Sequence, residues 1–212
     1  MNIEIKPARA AGVFTAPPSK SMAHRLLICA AVSKGESLIT NIAPSRDILA
    51  TLGCLESMGV SAAADFEKKR VLITGAGKSI RARSVLNCNE SGSTLRFFIP
   101  LCLINGGGTL TGSEYLLSRP LSEYESLEGV SLIKSGGKIE LSGVLKPGVF
   151  TLRGDISSQF ISGLLFALPL LSGDSEIRLL CQHPLKPADT QQRSLLRCQC
   201  TYRMRSASCS WC

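Results

Sequence analysis

Three stretches of this chain repeat one pattern of polar and apolar positions. A short cluster of Ser, Gly, Lys or Arg opens a run of almost wholly apolar residues, which stops near a Gly and gives way to a brief β-branched or aliphatic stretch. The copies begin at Ser19 (SKSMAHRLLICAAVSKGESLITNI), Ser91 (SGSTLRFFIPLCLINGGGTLTG) and Ser157 (SSQFISGLLFALPLLSGDSEIRLL). Each predicts a polar N-cap, a helix apolar on nearly every side and therefore buried, a Gly stop and a strand. A buried helix shows a ligand only its end, and its N-terminus carries free N–H groups and the positive end of the dipole. Three such ends, with Lys20, Arg25, Arg96 and Arg119 nearby, describe a site for a multiply anionic small molecule.

Between these copies the pattern predicts strands at Asn2 to Lys6 and Ser37 to Ile42, and an amphipathic helix from Arg46 to Met58 with Asp47 on its wet side. Further strands are expected near Val60 to Ala64, Arg70 to Thr74, Val85 to Cys88, Thr109 to Thr111, Lys138 to Leu141 and Val149 to Leu152. The long helices are predicted at Ser21 to Ser33, Ser93 to Ile104, and from Ser157 or Ser158. Ser19 or Ser21 would cap the first, and Ser93 or Thr94 the second. Helices between hairpins, without an alternating βαβ series, predict an α+β fold of repeated helix-and-sheet units. GAGKS at Gly75 lacks the spacing of a phosphate loop and reads as a turn. His24 has no paired carboxylate or nucleophile and reads as a bystander. Glu123, Glu125 and Glu128 read as a solvent-facing charge run.

The net charge of +8 raises nucleic acid as a partner, but its placement argues otherwise. From Cys181 onward Lys186, Arg193, Arg197, Arg203 and Arg205 face Asp189 alone, whereas earlier basic residues are scattered among few aromatics, with no RNA-binding signature. Cys29, Cys54, Cys88 and Cys102 sit singly in apolar surroundings, as reduced thiols do. Cys181, Cys198, Cys200, Cys209 and Cys212 crowd the end. The segment 181–212 has no periodic pattern, and the expectation is a reading frame lost near Leu180 and a disordered tail. A zinc site from its cysteines and His183 is the rival reading, but CxC makes a poor half-site, so no metal is expected. Met1 to Pro7 reads as a strand and not a secretory leader. Phe160 to Leu171 falls short of the roughly 20 residues that span a bilayer. A cytoplasmic protein is expected.

PPSKSMAHR, from Pro17 to Arg25, sets Lys20 at a helix cap and Arg25 one turn after Ser21, so one anion can meet N–H groups, a hydroxyl and two cations. In ESGSTLR, from Glu90, Gly92 admits close approach to the backbone and Arg96 follows one turn later. Ser157, Ser158 and Gln159 add two hydroxyls and an amide at the third end.

PPSKSMAHRLLICAA, NESGSTLRF, LTGSEYLLSRPL and GDISSQFISGLLFALPL resemble, in order, four signatures of the enolpyruvyl transferase family, in the branch that acts on shikimate 3-phosphate. The resemblance covers Met1 to about Leu180. It implies two globular halves built from six copies of one helix-and-sheet unit, with buried helices aimed at the cleft. It further implies transfer of the enolpyruvyl group of phosphoenolpyruvate to the 5-hydroxyl of shikimate 3-phosphate, releasing phosphate, by a monomeric enzyme of aromatic amino-acid biosynthesis without metal or organic cofactor. By that resemblance Lys20 touches both substrates, Ser21 and Arg25 hold shikimate 3-phosphate, and Ser157 and Ser158 bind its phosphate. Gln159 lies between the substrates, Gly92 and Arg119 bind phosphoenolpyruvate, and Arg96 supports that pocket. Glu90 departs from the Asn that many members carry. Residues 17–180 would form the N-terminal domain, and residues 1–16 would pack into the second half, which holds the general base. This chain would then carry half a site and turn over negligibly alone. Two readings stand beside it. The sister transferase acting on UDP-N-acetylglucosamine has Lys-Asn and a loop cysteine, where this chain has Lys20, Ser21 and Arg25 and no Cys between Gly106 and Pro120. A non-catalytic anion-binding half-enzyme is the other.

Overall fold

The structure, a computed structural model, describes Glu4, residues 11–81, 85–153 and 157–180, and the backbone of 199–204. Most of the strand expected at Asn2 to Lys6, and most of the tail, lie outside the described residues. The first unit runs α1 (Lys20–Val32), β1 (Lys34–Thr40), α2 (Arg46–Ser57), β2 (Ser61–Asp65) and β3 (Arg70–Ala76). The second runs β4 (Val85–Asn87), α3 (Gly92–Leu103), β5 (Gly107–Thr111), two short helices α4 (Glu114–Leu117) and α5 (Ser122–Glu125), β6 (Val130–Ser135) and β7 (Lys138–Gly143). The third runs β8 (Val149–Arg153), α6 (Ser158–Ala167), β9 (Ser175–Leu180) and β10 (Gln199–Met204).

The second and third units open on a parallel pair that the first, among the described residues, lacks. In the second sheet β4 pairs parallel with β5, β5 antiparallel with β7, and β7 antiparallel with β6. In the third, β8 pairs parallel with β9, and β9 antiparallel with β10. In the first, β1 pairs antiparallel with β3, and β3 with β2. The fold is α+β as expected. Two crossovers of the βαβ kind, β4–α3–β5 and β8–α6–β9, occur in separate sheets, without running on into an alternating series. Strand β4 falls within the stretch expected near Val85 to Cys88.

Serine side chains start the helices. Ser19, Ser45, Ser91 and Ser157 each accept a backbone N–H of the first turn of α1, α2, α3 and α6. The cap of α3 is therefore Ser91, not Ser93 or Thr94, because Gly92 is already helical. Helix α1 stops at Ser33, which donates through its backbone N–H and its Oγ to Cys29 O, so Gly35 is not the stop and lies inside β1. Gly75 ends inside β3, and Gly77–Ser79 forms a 3-10 turn. Strand β6 was not foreseen, since Val130, Leu132 and Ile133 follow no strict alternation.

Helix α3 is buried as expected, and its Phe97 packs edge-on against Phe166 of α6 at 5.3 Å. Helix α1 is not: Met22 and Leu26 are 53% and 45% exposed, with Cys29 open beside them. Its apolar sequence predicts more cover than the described neighbours supply. Against the expectation of a structureless tail, Gln199–Met204 completes the third sheet. Pairing uses backbone groups alone, and the edge of β9 offers an unpaired row of them to any extended segment.

Candidate functional site

The N-terminal ends of α3 and α6 meet in a knot of polar contacts. Arg96, one turn into α3, donates from Nη1 to Gln159 Oε1 at 2.7 Å, and Gln159 Nε2 donates back to Ser93 Oγ at 2.9 Å. The Arg96 guanidinium lies 5.1 Å over the Phe160 ring, which fixes its plane. Its Nε is buried without a hydrogen-bond partner among the described residues. An unpaired buried donor costs about 1–3 kcal/mol, so the position favours an acceptor from outside the chain.

Arg119 reaches the same place from the loop after α4. A Cβ built on Gly92 would collide with Arg119 Nη1 and stand 3.4 Å from Arg96 Nη1, so any larger residue would push the Arg119 guanidinium away from this helix end. Arg119 is braced by Tyr115, 5.1 Å beneath it, and its carbonyl accepts from Lys134 Nζ at 2.8 Å. Burial first, and the nearby Arg119 second, push the Arg96 pKa down. Among the described residues no ion pair to a carboxylate offsets Arg25, Arg96 or Arg119, and none joins Arg96 to Glu90. Like charges held this close favour a bound anion.

A second cluster joins α1 to α6. Arg25 donates from Nη1 to Ser21 Oγ at 2.6 Å and to Ser21 O at 2.9 Å, and from Nη2 to Ser162 Oγ at 3.1 Å. Ser162 in turn donates to Ser158 O, and the Arg25 guanidinium lies 5.2 Å over Phe97. Lys20, exposed beside Ser21, is held by Asp47 of α2 at 2.8 Å. Ser157 is occupied as the cap of α6, and its Oγ accepts from Gln159 N.

Of the residues singled out in the sequence, Gly92, Arg96, Arg119 and Gln159 thus form one connected group, and Ser21, Arg25 and Ser158 another. Ser157 touches the first group through its cap bond from Gln159 N, and Lys20 joins neither, its side chain bonding to Asp47. Sequence reasoning missed Ser162 and Asp47. Ser162 could have been found one turn after Ser158 on the same helical face, and Asp47 from its place in the first turn of α2. Glu123 was read as solvent-facing but is only 8% exposed, and its carboxylate accepts from Arg153 N at 3.0 Å. A charge run gives no warning that one member caps a neighbouring strand. An open groove of about 720 Å³ between Arg46, Leu49, Asn89 and Ser113 adjoins Glu90, and none of the predicted site residues lines it. No helix among the described residues is long and apolar enough to cross a membrane.

Comparison with known proteins identifies the family. The family described as EPSP synthase (3-phosphoshikimate 1-carboxyvinyltransferase) matches residues 5–188. The match passes Leu180, so the likeness extends beyond the point where the frame was expected to fail. A 3-phosphoshikimate 1-carboxyvinyltransferase of Clostridium botulinum (strain Eklund 17B / Type B) is 44% identical over 183 residues, covering 82% of this chain and 42% of that protein. One of Clostridium perfringens (strain SM101 / Type A) is 46% identical over 182 residues, with the same coverage. The solved EPSP synthase of Acinetobacter baumannii superposes with a TM-score of 0.69 at 26% identity, over 82% of this chain and 41% of that one. The chain therefore spans less than half the length of these relatives.

Proposed function

The chain belongs to the EPSP synthase family, and from that premise we propose that its helix ends form one wall of a cleft for shikimate 3-phosphate and phosphoenolpyruvate. The observation that carries the reading is the pair of guanidiniums, Arg96 and Arg119, held against Gly92 at the mouth of α3 with no carboxylate among the described residues to neutralise them. Phosphoenolpyruvate would sit there, between the free N–H groups of α3 and Arg119, with Lys20 and Gln159 on its flank. Shikimate 3-phosphate would sit between α1 and α6, held by Lys20, Ser21 and Arg25, its phosphate on Ser157 and Ser158. Gln159, tied to both Arg96 and Ser93, would keep the two sites in register. Both ligands are polyanions, and fixed positive charge in a partly desolvated cleft offsets their repulsion.

Residues 17–180 form the domain that does this, and residues 1–16 belong to a different packing surface; Val13 and Phe14 are 103% and 84% exposed, which supports that division. Enolpyruvyl transfer needs groups from the length of the relatives that this chain does not span. Titration calorimetry on the chain should show uptake of shikimate 3-phosphate and, in its presence, of phosphoenolpyruvate. A phosphate-release assay with both should show negligible turnover. Absence of binding would overturn the reading, and turnover at the rate of a full-length relative would overturn the division of labour.

A further inference from the structure

A file of buried side chains crosses the molecule behind the α3 end. His24 Nδ1 lies 2.7 Å from Thr51 Oγ1, Thr51 Oγ1 lies 2.8 Å from Thr94 Oγ1, and Thr94 Oγ1 donates to Ser91 Oγ at 2.6 Å. All four residues are buried, Ser91 to 3% exposure. The direction of the last bond fixes the others. Thr94 spends its single proton on Ser91, so Thr51 must donate to Thr94, and His24 must donate from Nδ1 to Thr51. Burial lowers the His24 pKa to about 4, with Asp47 opposing and Lys20 and Arg25 adding to the effect, so the ring is neutral and carries its proton on Nδ1.

Ser91 stands at the far end. Its Oγ accepts twice, from the Thr94 hydroxyl and from the Thr94 backbone N–H at 3.2 Å, so both lone pairs are filled. Its own proton is all that remains, and Ser91 can act only as a donor. It adjoins Gly92, where Arg119 and the unpaired Nε of Arg96 already favour an acceptor.

We propose that His24, Thr51 and Thr94 are positioning residues: their one-way file of hydrogen bonds locks Ser91 as a donor to the anion bound at the mouth of α3. This rests on the reading of that mouth as the phosphoenolpyruvate pocket. The file selects for an acceptor, a carboxylate or phosphate oxygen, and against a ligand atom that itself donates. Carried by α1, α2 and α3, it links the placement of the cap to the packing of three helices.

The test uses the 212-residue chain, with far-UV circular dichroism confirming that each variant is folded at the temperature of titration. Ser91→Ala and Thr51→Val should each weaken phosphoenolpyruvate about fivefold while leaving shikimate 3-phosphate within about twofold. The double variant should be no weaker than Ser91→Ala alone, because both act through one proton. Thr51→Ser, which keeps the hydroxyl, should restore binding. In ¹⁵N NMR, the ring resonances that vanish in His24→Gln should report the Nδ1–H tautomer in the native chain and lose that signature in Thr51→Val. Equal weakening of both ligands, additive losses in the double variant, or an Nε2–H tautomer would each overturn the proposal. If the native chain takes up neither ligand, the functional reading fails and with it the ligand end of the file, while the tautomer still decides whether the file exists.

Discussion

The seam between α3 and α6 and the seam between α1 and α6 are built from helices of the same origin, yet they differ in what closes them. Over the first lies α5, whose Tyr124 is fully buried, stacks edge-on against Phe160 at 4.9 Å, and donates its hydroxyl to Arg96 O at 2.9 Å and Phe160 O at 3.1 Å. The seam between α1 and α3 is closed in the same manner by α2, through Thr51. Over the α1–α6 seam no such helix lies among the described residues, and the Arg25–Ser162 bond spans it with Met22, Leu26 and Cys29 open alongside. Each closed seam owes its cover to a helix that comes after the strand following its unit's long helix, α2 after β1 and α5 after β5. The lesson is that stability is concentrated where a connector helix supplies both an apolar plug and a hydrogen bond, while the open side of α1 is held mainly by polar contacts.

If this contrast holds, removing the plug of the closed seam should do the most damage. Tyr124→Ala deletes a fully buried ring and is expected to cost about 3–5 kcal/mol in urea unfolding. A loss below about 1 kcal/mol would mean that the seam is not held by its plug. Gly163→Ala probes the same place by overfilling. Its Cβ would stand 2.7 Å from Arg96 O and closer still to Tyr124 Oη, so a loss of about 1–3 kcal/mol is expected, with Tyr124→Phe relieving part of it.

The α1–α3 seam should betray itself through pH. His24 has a folded pKa of about 4 against an ordinary value of 6.5. Between those values only the unfolded chain takes the proton. The stability from this group is therefore complete above about pH 6.5 and falls as the pH drops toward 4, by about 2 kcal/mol at pH 5. His24→Gln should lack this contribution. Unfolding at pH 7.5 and at pH 5 should give the native chain the larger difference by that amount, and equal slopes would refute the burial of a neutral ring.

The sequence spoke most plainly where period and chemistry coincide. Buried α3 and the Ser-rich helix starts follow from apolar runs behind polar tips, and the family likeness named Arg96 and Gln159 without pairing them. It was silent where a contact comes from elsewhere in the chain. Nothing local marks Tyr124 as the plug of a distant seam or lifts Glu123 out of its charge run, because burial is a property of neighbours. The open face of α1 was misread for that reason: Met22, Leu26 and Cys29 are as apolar as the residues of α3, and hydrophobicity alone cannot say which helix finds a cover. The directed file from His24 to Ser91 was hidden too, since its members lie on three helices and share no motif.

The smallest effect is expected from the open face, and it is the sharpest check on the comparison. Leu26 and Leu27 are neighbours in one helix, with equal intrinsic preference for it, and differ in burial: 45% against 0% exposed. Lysine forms helices nearly as well as leucine, and at Leu26 its ammonium can reach water while its stem covers what the leucine covered. Leu26→Lys should therefore shift stability by no more than about 0.5 kcal/mol, whereas Leu27→Lys forces a charge into the core and should leave the chain unfolded or nearly so. If Leu26→Lys instead costs 2 kcal/mol or more by urea unfolding, the face is covered in solution and the two seams are alike.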